Sequence, residues 1–256
     1  MSKQTKIVAT VSDKRCDVEF VRDLFENGMN VVRMNSAHLD AEGFNKIITN
    51  VRAVSNTIAI LMDTKGPEMR TTAIADDGRI NFSTGDYVKM SGNPNQLTTK
   101  EHICISYPNF VKDLSVGSLV LIDDGEIEFK VIEKHDDFLL CIAENEGELG
   151  SRKSVNVPGV RINLPALTEK DRKNILYAIE HNIDFIAHSF VRNKQDVLDI
   201  QEILDAHNSS IKIIAKIENQ EGVDNIDEIL EVAYGVMIAR GDLGIEVPQE
   251  KIPGIQ

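Results

Sequence analysis

Short apolar runs alternate with segments of helical periodicity at the start of the chain. Lys6-Ile7-Val8-Ala9-Thr10 predicts a strand, and Asp17 to Glu26 a helix with Val18, Val21, Leu24 and Phe25 on one face. Asn27-Gly28 supplies a C-terminal stop. Asn30 to Met34 returns to strand, Ala41 to Val54 is helical again, and Ile58 to Met62 is a buried-type strand. This βαβαβ order predicts a parallel sheet covered by helices.

From about Arg70 to Asn156 the period changes and helix signals disappear. Arg79–Phe82, Tyr87–Met90, Ser118–Ile122 and Phe138–Ile142 are short strands set between Asp-Gly, Thr-Gly and Pro-Asn turns. That spacing predicts a small all-β barrel or sandwich. Alternation resumes after Pro165, where Thr168 with Asp171 three residues on caps a helix. There follow strand Phe185–Ala187, helix Lys194–Ala206, strand Ile211–Ile217, helix Asp224–Val232 and strand Gly235–Ala239; Gly244 to Pro248 reads as loop. The pattern divides the chain into residues 1–69, 70–161 and 162–256, an α/β barrel interrupted by an all-β insert. About six βα strands are present where a closed barrel needs about eight.

Composition narrows the function. With 28 basic against 41 acidic residues the formal net charge is −13, which argues against a general nucleic-acid binder. A local pocket for a phosphorylated ligand remains compatible with it. Cys16, Cys104 and Cys141 are far apart and odd in number, so neither a disulfide framework nor a zinc pair is expected, and a reducing compartment fits. No apolar stretch approaches the ~20 residues of a membrane span, and the N-terminus carries no signal-peptide pattern; a cytoplasmic protein without membrane association is expected.

Four polar clusters follow apolar strands, at the end of the sheet where α/β folds place their active sites. In Ala215-Lys216-Ile217-Glu218-Asn219 the lysine and the carboxylate are two apart and share a face. A structural ion pair would satisfy the same spacing. In Ala239-Arg240-Gly241-Asp242-Leu243-Gly244 the glycines admit close backbone approach of a ligand, while Asp242 could equally cap a turn. Glu218 and Asp242 together suit Mg²⁺, which takes one or two protein carboxylates plus substrate oxygens. Arg33-Met34-Asn35-Ser36-Ala37-His38 offers an arginine fork for phosphate. In Asp63-Thr64-Lys65-Gly66-Pro67-Glu68-Met69-Arg70 side-chain oxygens could surround a monovalent cation, and Lys65 with Glu68 could be no more than a solvated pair.

The four clusters, in this order, resemble the pyruvate kinase family, and Asn163-Leu164-Pro165-Ala166-Leu167-Thr168 resembles its return from lid domain to barrel. The resemblance covers the whole chain but about the N-terminal half of a typical member. It implies an α/β fold of the (β/α)8 TIM-barrel type, here incomplete, with the β insert as a mobile lid. It further implies phosphoryl transfer from phosphoenolpyruvate to ADP, giving pyruvate and ATP, with Mg²⁺ (or Mn²⁺) and K⁺ as cofactors. By similarity Lys216 is catalytic and binds substrate, Arg33 grips the phosphate, and Gly241 and Asp242 receive the substrate carboxylate. Glu218 and Asp242 hold Mg²⁺; Asn35, Asp63 and Thr64 match the K⁺ positions, and Glu68 the residue tied to K⁺ dependence. Asn35, Arg70 and Lys153 match nucleotide contacts, Asp124 a lid contact, and Ser189 and Phe190 the pocket wall.

Two departures stand out. Ala37 replaces the family's serine K⁺ ligand, with Ser36 adjacent. The sequence also stops at Gln256, short of the last barrel strands and the C-terminal domain. The expectation is therefore a chain that binds ligand but turns over weakly or not at all, and that self-associates or distorts at its open sheet edge, whereas the parent would be a homotetramer. The rival readings are a non-catalytic ligand-binding fragment and a Mg²⁺-dependent pyruvate or oxaloacetate barrel lyase.

Overall fold

The computed structural model describes residues 4–37 and 39–256; His38, part of the arginine cluster, lies outside the described residues. The chain forms two compact units, one of residues 1–67, 165–217 and 225–238, the other of 68–164, 218–224 and 239–256.

The first unit is built on a six-stranded parallel sheet whose spatial order follows the sequence. Its strands are β1 (Ile7–Thr10), β2 (Met29–Asn35), β3 (Ala59–Asp63), β4 (Phe185–His188), β5 (Lys212–Ile217) and β6 (Gly235–Ile238). This is the curled, partial form of a (β/α)8 barrel. The interior strands are buried on both faces, as parallel strands between helices must be: Val32, Ile60, Ala187, Ala215 and Ile217 are inaccessible. The edge strands are wetter, with Ile7, Val8 and Val236 exposed.

The connecting helices start where side chains can satisfy the orphan N–H groups of a first turn. Asp17 accepts from Phe20 N, Asp40 from Gly43 N and Asn193 from Asp196 N, capping helices Val18–Glu26, Ala41–Val54 and Lys194–Ala206. The capping box at Thr168 and Asp171 forms as the spacing predicts and opens helix Glu169–Glu180. Asp171 does more than cap. Its Oδ2 serves the box while its Oδ1 accepts the Lys65 N–H at 2.8 Å, tying the segment after β3 to this helix.

The second unit carries a seven-stranded mixed sheet, in the order Met69–Arg70, Ser154–Asn156, Leu119–Ile122, Ile127–Lys134, Leu139–Ala143, Tyr87–Ser91 and His102–Cys104. Pairs are antiparallel except the last, which is parallel. A two-stranded ribbon, Ile80–Phe82 with Gly147–Leu149, packs on the same core, where Phe82 meets Phe129 edge-on at 5.2 Å. The insert is not free of helix: a 3-10 turn at Ala75–Asp77 and a one-turn helix at Phe110–Asp113 interrupt it. A single turn is too short to show a 3.6-residue period.

Two further readings are corrected. The helix expected over Asp224–Val232 is split into Gln220–Asp224 and Ile226–Leu230. Gly244 to Pro248 is not wholly loop, because a helix runs over Arg240–Glu246; a further short helix follows at Ile252–Ile255. Two glycines disguise the first helix. Packing stabilises it instead: Leu243 is fully buried, and a Cβ on Gly244 would stand 3.3 Å from Ile252 Cδ1.

Glu246 closes that helix in a half-buried position. Desolvation raises its pKa, opposed by the Gln220 N–H it accepts and by Asn156, with Glu221 adding to the rise. A carboxyl whose folded pKa lies above its unfolded value favours folding below the unfolded value and loses that contribution as pH rises through the folded one. Glu246→Gln is therefore expected to raise the melting temperature at pH 7. The gain should fade as pH falls toward the ordinary carboxylate value near 4.5. An unchanged or lowered melting temperature at pH 7 would contradict this.

The three cysteines are free and buried, and burial pushes the Cys141 thiol up to about 12. Among the described residues no helix is long and apolar enough to cross a membrane.

Candidate active site

Register brings the polar residues of the first unit to one end of its sheet. Asn35 of β2 is level with Asp63 of β3, and Asp63 with Ala187 of β4; His188 is level with Ala215, one residue before Lys216. Strands of a parallel sheet end on the same side, so these residues converge without any help from loops.

Asp63 is the centre of the cluster, 2% exposed. Its Oδ2 accepts from Arg33 Nε at 2.9 Å and also from Arg33 Nη2. Lys216 Nζ lies 3.7 Å from the same oxygen. Two cationic heads from different strands thus meet at one carboxylate oxygen, with the Lys216 side chain 9% exposed and Arg33 28%. Lys216 Nζ also donates to Ser189 Oγ at 2.9 Å. Ser189 is cross-linked to Thr64: its N–H donates to Thr64 Oγ1 at 3.0 Å and its hydroxyl to Thr64 O at 2.8 Å. Thr64 Oγ1 in turn lies 3.1 Å from His188 Nδ1.

The backbone around this cluster is unusual. Gly66 has φ +71°, and a Cβ there would sit 2.9 Å from Ser189 O, so only glycine fits. Phe190 is left-handed at φ 56°, a conformation that costs a non-glycine residue about 1 kcal/mol and needs surrounding bonds to hold it. His188 is 1% exposed, and desolvation pulls its pKa down to about 4 against the raising influence of Asp196 and Asp171. It is therefore neutral at physiological pH.

Polar oxygens are left over. Asp63 Oδ1 and Ser36 Oγ are buried with no hydrogen-bond partner, and buried oxygens of this kind normally find one. Asn35 is level with Asp63 on the next strand. Asn35 Oδ1 itself accepts the N–H of Ala37 at 3.0 Å. Among the described residues no group of three or more His, Cys, Asp or Glu is disposed to hold a metal.

The other candidates lie in the second unit. Glu218 directly follows β5 and is 2% exposed. Gly241 and Asp242 occupy the first turn of Arg240–Glu246, both exposed, and the space a Cβ on Gly241 would fill is open. Arg70 and Lys153 are brought together, because Met69–Arg70 pairs with Ser154–Asn156 and the N–H of Lys153 donates to Thr71 Oγ1. Arg70 is held by Glu68 (2.9 and 2.7 Å) and Lys153 by Asp123 (2.6 Å). Glu68 thus pairs with Arg70 rather than with Lys65. Asp124 accepts from Ser154 Oγ at 2.7 Å.

The sequence pattern passed over His188, because the apolar run of β4 was read as ending at Ala187. A polar residue closing a buried strand at the site's end of the sheet was the available signal.

These features define an α/β protein with a partial parallel barrel, a cluster of charged side chains at its strand ends and a second unit built on a mixed β-sheet. The family described as "Pyruvate kinase, barrel domain" matches residues 2–256. Over 254 residues the chain is 50% identical to pyruvate kinase of Borreliella burgdorferi, covering 99% of this chain and 52% of that protein. Over 263 residues it is 48% identical to pyruvate kinase of Geobacillus stearothermophilus, covering 100% and 44%. The crystal structure of a pyruvate kinase from Cryptosporidium parvum matches with TM-score 0.94 at 39% identity, covering 98% of this chain and 53% of that one. The chain belongs to the pyruvate kinase family, and it spans about half the length of these relatives.

Proposed function

We propose that this chain carries the phosphoenolpyruvate- and cation-binding groups of a cytoplasmic pyruvate kinase, which moves the phosphoryl group to ADP and yields pyruvate and ATP. The observation that supports this best is the convergence of Arg33 and Lys216 on Asp63 at the ends of parallel strands. Phosphoryl transfer needs little covalent help from a protein and mostly positioning and preorganised positive charge.

In this reading Arg33 offers its planar fork to the phosphoryl oxygens. Lys216 holds an ammonium, already aimed by Ser189, toward the phosphoryl group in transit and the oxygen it leaves. The amides of Gly241 and Asp242 receive the substrate carboxylate. Glu218 and Asp242 would hold Mg²⁺ or Mn²⁺, which when bound offsets the charge of the substrate's oxygens. Asp63, Asn35 and Thr64 would hold K⁺, the Asp63 Oδ1 lone pairs being uncommitted. Arg70 and Lys153 meet the nucleotide phosphates, with Asn35. Residues 70–161 form the inserted domain. Phosphoryl transfer by the 256-residue chain is expected to fall far below that of a full-length relative, because the parallel sheet of the described residues has six strands and a closed barrel about eight.

Calorimetric titration with phosphoenolpyruvate or oxalate tests the proposal. Binding is expected with Mg²⁺ present, and its loss when the metal is withheld or in Glu218→Ala. Metal-independent binding of equal strength, or none by the unsubstituted chain, would contradict it.

A further inference from the structure

His188 ends β4 wholly buried, and neither the sequence pattern nor the family resemblance gives it a part to play. The direction of its contact with Thr64 depends on the tautomer of the ring, and the bonds around Thr64 favour one of the two. Thr64 Oγ1 already accepts the Ser189 N–H, so the hydroxyl's own proton needs an acceptor. The ring nitrogen Nδ1, at 3.1 Å, is the acceptor in reach. The ring then carries its proton on Nε2 and is neutral.

From there the donors line up. Lys216 Nζ donates to Ser189 Oγ and Ser189 Oγ donates to Thr64 O; with the ring in its Nε2–H form, Thr64 Oγ1 donates to His188 Nδ1. The Val191 N–H also donates to Lys216 O at 3.3 Å, so the segment following β4 is bonded to β5 at the same level. Removing the terminal acceptor would leave a buried hydroxyl proton without a partner, and a side chain in that condition turns to find one. For Thr64 that rotation withdraws Oγ1 from the Ser189 amide and frees Ser189 to shift against Lys216.

We propose that His188 is a positioning residue for Lys216: its unprotonated Nδ1 accepts the Thr64 hydroxyl and thereby fixes the Ser189 oxygen that aims the Lys216 ammonium. The proposal rests on the reading of Lys216 as a substrate-binding group, and its test separates the two.

Nitrogen NMR of the unsubstituted chain reads the tautomer directly, without a variant and without ligand. The Nε2–H form is expected, and the Nδ1–H form or a doubly protonated ring at pH 7 would overturn the proposal. Two substitutions then read the consequence. His188→Asn puts an acceptor oxygen near the Nδ1 position, while His188→Leu fills the space without one. The Lys216 Cε–Hε signal is expected to move in the leucine variant and to return in the asparagine variant. An unmoved signal in the leucine variant, or one equally displaced in both, would overturn the proposal. With Mg²⁺, oxalate affinity should fall roughly tenfold in the leucine variant, the worth of one buried hydrogen bond, and stay within about twofold in the asparagine variant. Should the unsubstituted chain bind no oxalate, the functional reading fails while the tautomer and Lys216 signals still decide the role of His188.

Discussion

Lys216→Met is expected to weaken Mg²⁺-dependent phosphoenolpyruvate binding roughly a hundredfold or more while leaving the fold as stable as before. The two effects separate because the lysine serves ligand and fold unequally. Its side chain is 9% exposed, and keeping an ammonium there costs desolvation. Methionine fills a similar volume with no charge. Asp63 keeps both Arg33 bonds, and Ser189 keeps its bond to Thr64 O. A bound phosphate, however, loses a partly desolvated charge-assisted contact, worth about 2–5 kcal/mol at such sites. Calorimetry and thermal melting on the same preparation check both halves. Unimpaired binding would remove Lys216 from the site, and a collapsed melting temperature would make it a structural residue.

Asp63→Ala should do the reverse, destabilising the chain by about 3 kcal/mol, because deleting one member of a buried ionic cluster leaves the others uncompensated. Arg33 and Lys216 would then face each other from β2 and β5 without the carboxylate that both approach. Arg33 reaches solvent with 28% of its side chain, which places the loss at the lower end of the usual 3–5 kcal/mol. Asp63→Asn retains an acceptor for Arg33 and should fall between. Urea unfolding with an unchanged m-value measures the loss. A midpoint for Asp63→Ala equal to that of the parent would show that the cluster contributes nothing to folding.

Much of this arrangement was legible in the chain itself. Parallel strands announce themselves as apolar runs between capped helices, and the polar residues closing such runs come level at one end of the sheet. Asp63 and Lys216 were found in this way, and Arg33 lies within the same run as β2. The Thr168–Asp171 box was legible for a similar reason, being local and reciprocal. What escaped notice depends on contacts far apart in sequence. The bonds of Ser189 run to Thr64 across 125 positions and to Lys216 across 27, which no local pattern shows. The contact of His188 with Thr64 spans 124 positions, so its position at the end of β4 is legible but its partner is not. Gly244 to Pro248 reads as loop because Gly241 and Gly244 lower the intrinsic helix propensity there, whereas the burial of Leu243 that holds helix Arg240–Glu246 is tertiary.

The central claim is that one complex on this chain brings together phosphoenolpyruvate and a divalent cation. Phosphorus NMR of phosphoenolpyruvate with Mn²⁺ in place of Mg²⁺ tests it directly, because a paramagnetic ion broadens only a nearby phosphorus. Strong broadening is expected when the unsubstituted chain is added to dilute Mn²⁺, and its loss in both Glu218→Ala and Lys216→Met. Broadening that neither substitution changes, or none beyond that of Mn²⁺ in buffer, would contradict the claim.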